Sequence, residues 1–367
     1  MAKIPMVADI HLGVPGRLHD IMWSLNVVEA YCARESLDTV LCLGDLFNDR
    51  RALEIDALCA GYDYFRRARR QHDQRWIVLP GNHDMFLKHS WDINSLRPLS
   101  EVITVIDTVK IVDIAGSRFW VLPFIHFEGA YMRAVRAIEQ HYQDGDVLLT
   151  HIGTVGAIKN VCFLLKDWSL VSFHDSRFQQ VYTGHFHSTQ QVGHNVWYPG
   201  SLIPFKFDEG DCPHGFFVYD TATRTHDFVD IWATAAELVE QGLLPYQVPP
   251  PNFYTVPVEG LDDLDPEIAR HNIIRVAVDT DYPATARDGV RGILTDLGAR
   301  DVRWLTLASA EPVVQLEGGS DPTDLFAAWL EADARTVAAQ HLDVNLLHAL
   351  NADIVSEGDS RYSYTDI

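Results

Sequence analysis

The stretch Thr39–Asp49, TVLCLGDLFND, constrains the fold of this chain more than any other. Val40, Leu41, Cys42 and Leu43 form an apolar run of the kind found in strands buried on both faces. Gly44 lets the backbone turn where a side chain would obstruct. Asp45 is then delivered at the strand's carboxyl end, the edge of an open α/β sheet at which ligands bind. A Gly-Asp pair alone is a common turn, but here it has company. Asp9-Ile10-His11, Gly81-Asn82-His83-Asp84, Thr150-His151 and Gly184-His185-Phe186-His187 each close a similar apolar run. That many carboxylates and imidazoles at strand ends predict a two-metal site bridged by Asp45.

Around this stretch, helical and extended periods alternate. Residues 3–8 read as a strand and Leu18–Arg34 as an amphipathic helix, with Ile21, Met22, Leu25, Val28 and Tyr31 near helical spacing. A second helix over 53–71 precedes a strand at Trp76–Leu79, halted by Pro80-Gly81. Strand-like runs at 102–106, 109–114 and 118–122, a helix near 129–142 and a strand at Asp146–Thr150 follow. From residue 178 onward Gln180–Thr183, Gln190–Val192, Val196–Tyr198, Phe216–Tyr219 and Phe228–Ile231 read as successive strands of a second sheet. The expected fold is α/β: a two-sheet sandwich over 1–232 with helices outside.

Three consecutive prolines within 242–251, GLLPYQVPPP, favour an extended connector. Beyond it, strands at Phe253–Val258, Ile273–Val278 and Val302–Leu307 predict a small α/β domain over 252–318. Its helix would show Val290, Ile293, Leu294 and Leu297 on one face and end at Gly298. Asp321-Pro322 has the form of a helix start, so 319–367 is expected to be a helical C-terminal segment. The stripe Leu325–Leu330 there suits docking to a partner or packing on its own domain.

Composition limits the rest. With 47% hydrophobic and 22% charged residues the chain is ordinary for a globular protein. No apolar run approaches the ~18–20 residues of a membrane span, and Asp9 comes too early for a cleavable targeting peptide in front of it. The cysteines at 32, 42, 59, 162 and 212 are odd in number and lack a CxxC pair, which predicts a reducing, cytoplasmic setting. The net charge of −22 is uneven: residues 1–230 hold 21 Lys and Arg against 28 Asp and Glu, and residues 231–367 hold 8 against 23. So acidic a chain is poorly suited to bind nucleic acid by itself, because that affinity comes mainly from basic groups on phosphates.

Asp9 and His11 are two apart, as are His185 and His187, so each pair can point the same way from an extended segment. One ion would take Asp9, His11, Asp45 and His187, and the other Asp45, Asn82, His151 and His185. Paired ions ~3.5–4 Å apart serve hydrolases that clamp both the attacking and the leaving oxygen of a phosphate ester. Such esters resist water strongly, and their enzymes remove on the order of 20 kcal/mol of barrier. A positioned acid or base gives only about 10²–10⁴-fold, so histidines alone would fall short.

The ordered set DIH, GDLFND, GNHD, TH and GHFH over residues 9–187 resembles the calcineurin-like metallophosphoesterase superfamily. Within it, ADIHLG (8–13), LGDLF (43–47), the long interval to GHFH and YPGSLIPFKFDE (198–209) look most like SbcD, the nuclease subunit of bacterial double-strand-break repair. The resemblance implies the ligand set above, two divalent ions with manganese as the working metal, and His83 as the group that contacts the scissile phosphate or protonates the leaving oxygen. It also implies 3′→5′ exonuclease and endonuclease action on DNA, an SbcC-like, SMC-type ATPase partner, a homodimer, and a DNA-facing cap in the small α/β domain. The setting would be the cytoplasm of a bacterium or of a phage-infected host, with no membrane partner. Many relatives carry His three residues after the bridging Asp where this chain has Asn48, which touches the exonuclease activity in particular.

Beside the ligands, Asp84 is expected to hold a histidine from behind. The arginines of 66–70 fit either a DNA contact or a helix end whose charges suit the dipole. Two rival functions keep the fold: a phosphatase or cyclic-nucleotide phosphodiesterase with the same metals, or an inert scaffold, in whose favour only Asn48 speaks.

Overall fold

Lys3–Val7, Thr39–Cys42 and Arg75–Val78 lie side by side as parallel strands at the heart of a six-stranded sheet in the computed structural model. Residues 2–87, 90–157, 171–210 and 212–307 are described. The expected helical segment 319–367, residues 308–318 and Cys162 fall outside them.

Across the first sheet the order is Thr225–Asp230, Gly215–Asp220, Lys3–Val7, Thr39–Cys42, Arg75–Val78, Thr104–Val105. The second runs Gln190–Val192, Val196–Tyr198, Val181–Gly184, Val147–His151, Ser117–Leu122, Lys110–Ile114. The strands' alternation explains why their runs are apolar throughout. Leu41 and Leu43 face the layer between the sheets with Ile4, Met6, Phe119, Leu149 and Tyr182. Val40 and Cys42 face the other way, into the core under the helices Leu18–Glu35 and Ile55–His72. Leu148 does the same on the outer side of the second sheet, beneath Glu128–Glu139. The two-sheet sandwich with helices outside is therefore present.

Strand membership differs from the expected one. Gly215–Asp220 and Thr225–Asp230 belong to the first sheet, where Gly215–Asp220 pairs antiparallel with Lys3–Val7. Alternation marks a strand but does not say which sheet receives it. Ile231 opens a helix, Ile231–Glu240, rather than ending a strand, and the Asp230 side chain caps it by accepting Ala233 N–H at 2.8 Å. A hairpin of Met85–Leu87 and Ser90–Asn94 was also not legible.

Phe253–Pro257, Ile273–Asp279 and Asp301–Leu307 form a separate, wholly parallel three-stranded sheet. Its one face carries Tyr254, Val256, Ile274, Val276, Val302 and Trp304, packed with Leu294 of the helix Ala284–Asp296. Ile293 departs from the expected stripe: it is 61% exposed, because the buried side of that helix centres on Leu294. Among the described residues, no helix is long and apolar enough to cross a membrane.

Candidate metal centre

Beyond the strand ends the first two chain segments stay paired. Asp9 N–H donates to Gly44 O (3.1 Å), His11 N–H to Asp45 O (3.0 Å) and Leu12 N–H to Leu46 O (2.8 Å). This pairing carries Asp9, His11 and Asp45 to one place. All three, and His185, hold left-handed backbone, with φ of 51°, 55°, 53° and 104°. Such geometry costs a side-chain-bearing residue on the order of 1–3 kcal/mol and tends to gather at functional sites. Here the backbone bonds around it hold it in place.

The predicted ligands converge. Asp45 Oδ2 lies 3.3 Å from His151 Nε2 and 3.9 Å from His11 Nε2, between the two halves that it was expected to bridge. Asn82 Oδ1 meets His151 Nε2 at 3.0 Å and His185 Nδ1 at 2.8 Å. His11 Nε2 and His187 Nε2 are 3.0 Å apart. Donor atoms of Asp9, His11 and His187, and again of Asp9, Asp45 and His151, all lie within 4.8 Å of one another. Asp9 thus joins both clusters, where the sequence placed it in one.

These residues fit divalent ions. Two imidazole nitrogens aimed at each other across 3.0 Å can share at most one proton, whereas a cation satisfies both. His11 is buried with Nδ1 unpartnered. Mixed carboxylate, amide and imidazole donors suit a borderline first-row ion.

Charge follows the same pattern. Burial raises the Asp9 carboxyl to about 6 against the pull of His151 and His187. Burial would raise Asp45 too, but the charge and hydrogen bond of His151, then His11, reverse this and hold it far below the usual carboxylate range. Burial lowers His11 well below an ordinary imidazole, with His187 adding to the effect. For His151 burial is outweighed by Asp45, and its pKa rises to about 9.

Two of the rings, His151 and His187, are aimed from behind. His151 Nδ1 donates to Leu43 O at 2.7 Å. His187 Nδ1 donates to the buried carboxylate of Glu209 at 2.8 Å, a contact of the kind that fixes the tautomer and raises ligand basicity. Sequence reasoning assigned Glu209 no role, although it ends the YPGSLIPFKFDE segment. His83 N–H donates to Asp45 Oδ1 at 2.8 Å, and its Nδ1 lies 2.5 Å from the Asn48 carbonyl oxygen. Asn48 therefore acts on His83 through its backbone.

Asp84 does not hold a histidine. Its carboxylate accepts the N–H groups of Leu46 (3.2 Å), Phe47 (3.0 Å) and Gly81 (3.0 Å) and the Ser95 hydroxyl (3.1 Å), tying the Asp45 loop to the Asn82 loop. Gly81 is required where those loops meet, since a Cβ there would land on the Asp45 carboxylate. The arginine cluster is largely spent within the protein: Arg66 pairs with Asp63, Arg67 with Glu29, and Arg69 with the Glu101 carbonyl.

Comparison with known proteins gives the same direction. The family model for calcineurin-like phosphoesterases matches residues 2–189. Exonuclease subunit 1 of Enterobacteria phage T4 is 24% identical over 62% of this chain and 67% of its own length. A protein of Invertebrate iridescent virus 3 described as a phosphoesterase is 25% identical over 48% of this chain and 50% of its own length. A nuclease of Pseudomonas putida, known as MPE, aligns in structure over 59% of this chain and 83% of its own, with 16% identity and a TM-score of 0.32. The chain thus spans between half and about two thirds of the length of these two relatives. With the family's model covering the strands that deliver Asp9, Asp45, Asn82, His151, His185 and His187, the chain belongs to the calcineurin-like phosphoesterase family.

Proposed function

We propose that the chain is a metal-dependent DNA nuclease, the SbcD-like subunit of a repair and recombination complex. The observation that carries the reading is the pair of donor clusters sharing Asp9, with Asp45 between them and His83 held at their edge. Family membership supplies phosphoester hydrolysis. The likeness to a phage exonuclease subunit supports a nucleic acid as the substrate.

In this reading Asp9, His11, Asp45 and His187 would hold one divalent ion, and Asp45, Asn82, His151 and His185 the other, with manganese the expected metal. Ions held there would supply charge neutralisation at the phosphate and activation of water near neutral pH. The chain's own part is orientation and proton transfer. Glu209 and the Leu43 carbonyl turn His187 and His151 inward. The Asn48 carbonyl accepts a hydrogen bond from His83 Nδ1–H, so a doubly protonated His83 can give its Nε2 proton to the departing oxygen and is left as the neutral imidazole.

The acidic balance is met by the site itself. Two divalent ions bring four positive charges against the two of Asp9 and Asp45, and screening over ~8–10 Å separates this pocket from distant acidic residues. Most affinity for DNA would come from an SbcC-like, SMC-type ATPase, with the chain acting as a homodimer, residues 252–318 facing DNA and 319–367 docking the partner. Cys32, Cys42, Cys59 and Cys212 are unpaired, as a cytoplasmic setting asks.

The test is hydrolysis by manganese-loaded protein of linear duplex DNA beside a generic aryl phosphate. Cleavage of DNA that is lost in both His83→Gln and Asp45→Ala supports the reading. Turnover of the aryl ester alone would favour a small-substrate phosphatase of the same family.

A further inference from the structure

One loop links one half of the candidate metal centre to the three-stranded sheet. Pro204–Gly210, PFKFDEG, begins and ends against different parts of the molecule. On its inner side the Phe205 ring stands edge-on to His11 and His187, with centroids 5.6 and 5.7 Å away. Glu209 holds His187 Nδ1 at 2.8 Å and accepts Phe205 N–H at 2.7 Å. On its outer side the Phe207 ring lies 4.4 Å from the Arg275 guanidinium and 5.1 Å from the Phe253 ring, both on strands of the three-stranded sheet. Gly210 O accepts Asn252 Nδ2–H at 2.9 Å, and a Cβ at 210 would strike the Phe253 carbonyl. Arg17 donates to Pro204 O at 3.1 Å, and its buried partner Asp20 binds Arg300, the residue before the third strand, at 2.9 Å.

Within the loop Glu209 N–H donates to Lys206 O at 3.1 Å, and from outside it His214 Nε2 donates to Glu209 O at 3.0 Å; the remaining grip on its outer side comes from the three-stranded sheet. Phe205 and Glu209, which touch the ligands, alternate along the chain with Phe207 and Gly210, which touch the sheet. The other half of the centre is built differently. Among the described contacts, His151 is aimed by the Leu43 carbonyl, and Asn82 by the loop that Asp84 ties down. Neither depends on residues 204–210.

We propose that seating of the three-stranded sheet on Phe207 sets the divalent-ion affinity of the His11–His187 half alone, acting through Glu209. Phe207 and Arg275 are positioning residues, and anything that lifts the sheet lowers occupancy of that half first. This inference rests on the two-ion reading above.

The experiment is a manganese titration of the chelator-stripped full chain, followed by electron paramagnetic resonance of free ion, with thermal unfolding of the stripped protein alongside. Wild type should take up two ions. Phe207→Ala should weaken one by about tenfold, within the range that lost supporting contacts cost a metal, while the other ion and the metal-free unfolding temperature stay unchanged. Arg275→Gln should act in the same direction, and it carries the test if Phe207→Ala does not fold. Glu209→Gln should weaken the same ion at least as much. Wild-type isotherms in both Phe207→Ala and Arg275→Gln, or equal weakening of both ions, would overturn the coupling. A wild-type chain that binds no divalent ion would overturn the metal centre and the coupling together.

Discussion

His83 Nδ1 lies 2.5 Å from the backbone carbonyl oxygen of Asn48, and His83 N–H donates to the Asp45 carboxylate. The position that departs from the SbcD-like pattern thus supports His83 through an atom every residue has. Asn48→Ala should therefore keep most of the hydrolysis, within about tenfold of wild type. His83→Gln should lose on the order of 10²–10⁴-fold, as a removed proton donor does. Steady-state rates on one phosphodiester substrate give the comparison. A larger loss in Asn48→Ala than in His83→Gln would show that the Asn48 side chain is the functional part.

Asp84 should matter to the fold more than to the chemistry. Replacing it with Ala strips three buried backbone N–H groups of their acceptor, and each unsatisfied group costs about 1–3 kcal/mol. Urea unfolding of metal-free protein should show Asp84→Ala destabilised by roughly 3 kcal/mol or more, with Ser95→Ala, which removes only the hydroxyl bond, affected far less. Equal stability of wild type and Asp84→Ala would refute this role.

His151 gives a pH signature. In the metal-free protein Asp45 lifts it from 6.5 to about 9 despite burial, so the folded state holds a proton that the unfolded state releases above 6.5. Its stabilisation is complete below about 6.5 and is lost as pH rises through about 9. Melting temperatures of stripped protein should accordingly fall across that window, and less so in His151→Gln. Because a coordinating imidazole must be neutral, manganese binding at pH 7.5 should also release a proton. Calorimetry in buffers of different ionisation enthalpy would reveal it, and buffer-independent heats would count against His151 as a ligand.

Gly81→Ala should disable the centre while sparing the sheets, since the added methyl falls on the Asp45 carboxylate at a loop rather than in a core. Circular dichroism close to wild type with manganese affinity lost is the expected pair of results. Tight manganese binding by this variant would mean that Asp45 is free to move away from the site.

The convergence of the candidate ligands was legible because each stands where an apolar run stops, and strand ends in one sheet layer are neighbours in space. Asp9, Asp45 and His151 needed only that rule. Glu209 was hidden: it lies in an irregular loop, and no period connects it to His187, 22 positions earlier. Asp84 was seen but misjudged, since a carboxylate beside a histidine in sequence need not face it, and this one faces backbone. The sheet that takes Gly215–Asp220 was decided by antiparallel pairing to Lys3–Val7, a long-range choice that alternation does not encode. The cap at Asp230 was missed because Phe228–Ile231 reads as one extended run across the point where the strand ends and the helix begins.

Anomalous scattering from crystals grown with manganese tests the central claim most directly. Two peaks are expected, one among Asp9, His11 and His187 and one among Asn82, His151 and His185, with the Asp45 carboxylate between them. A single peak, or peaks remote from Asp45, would contradict it.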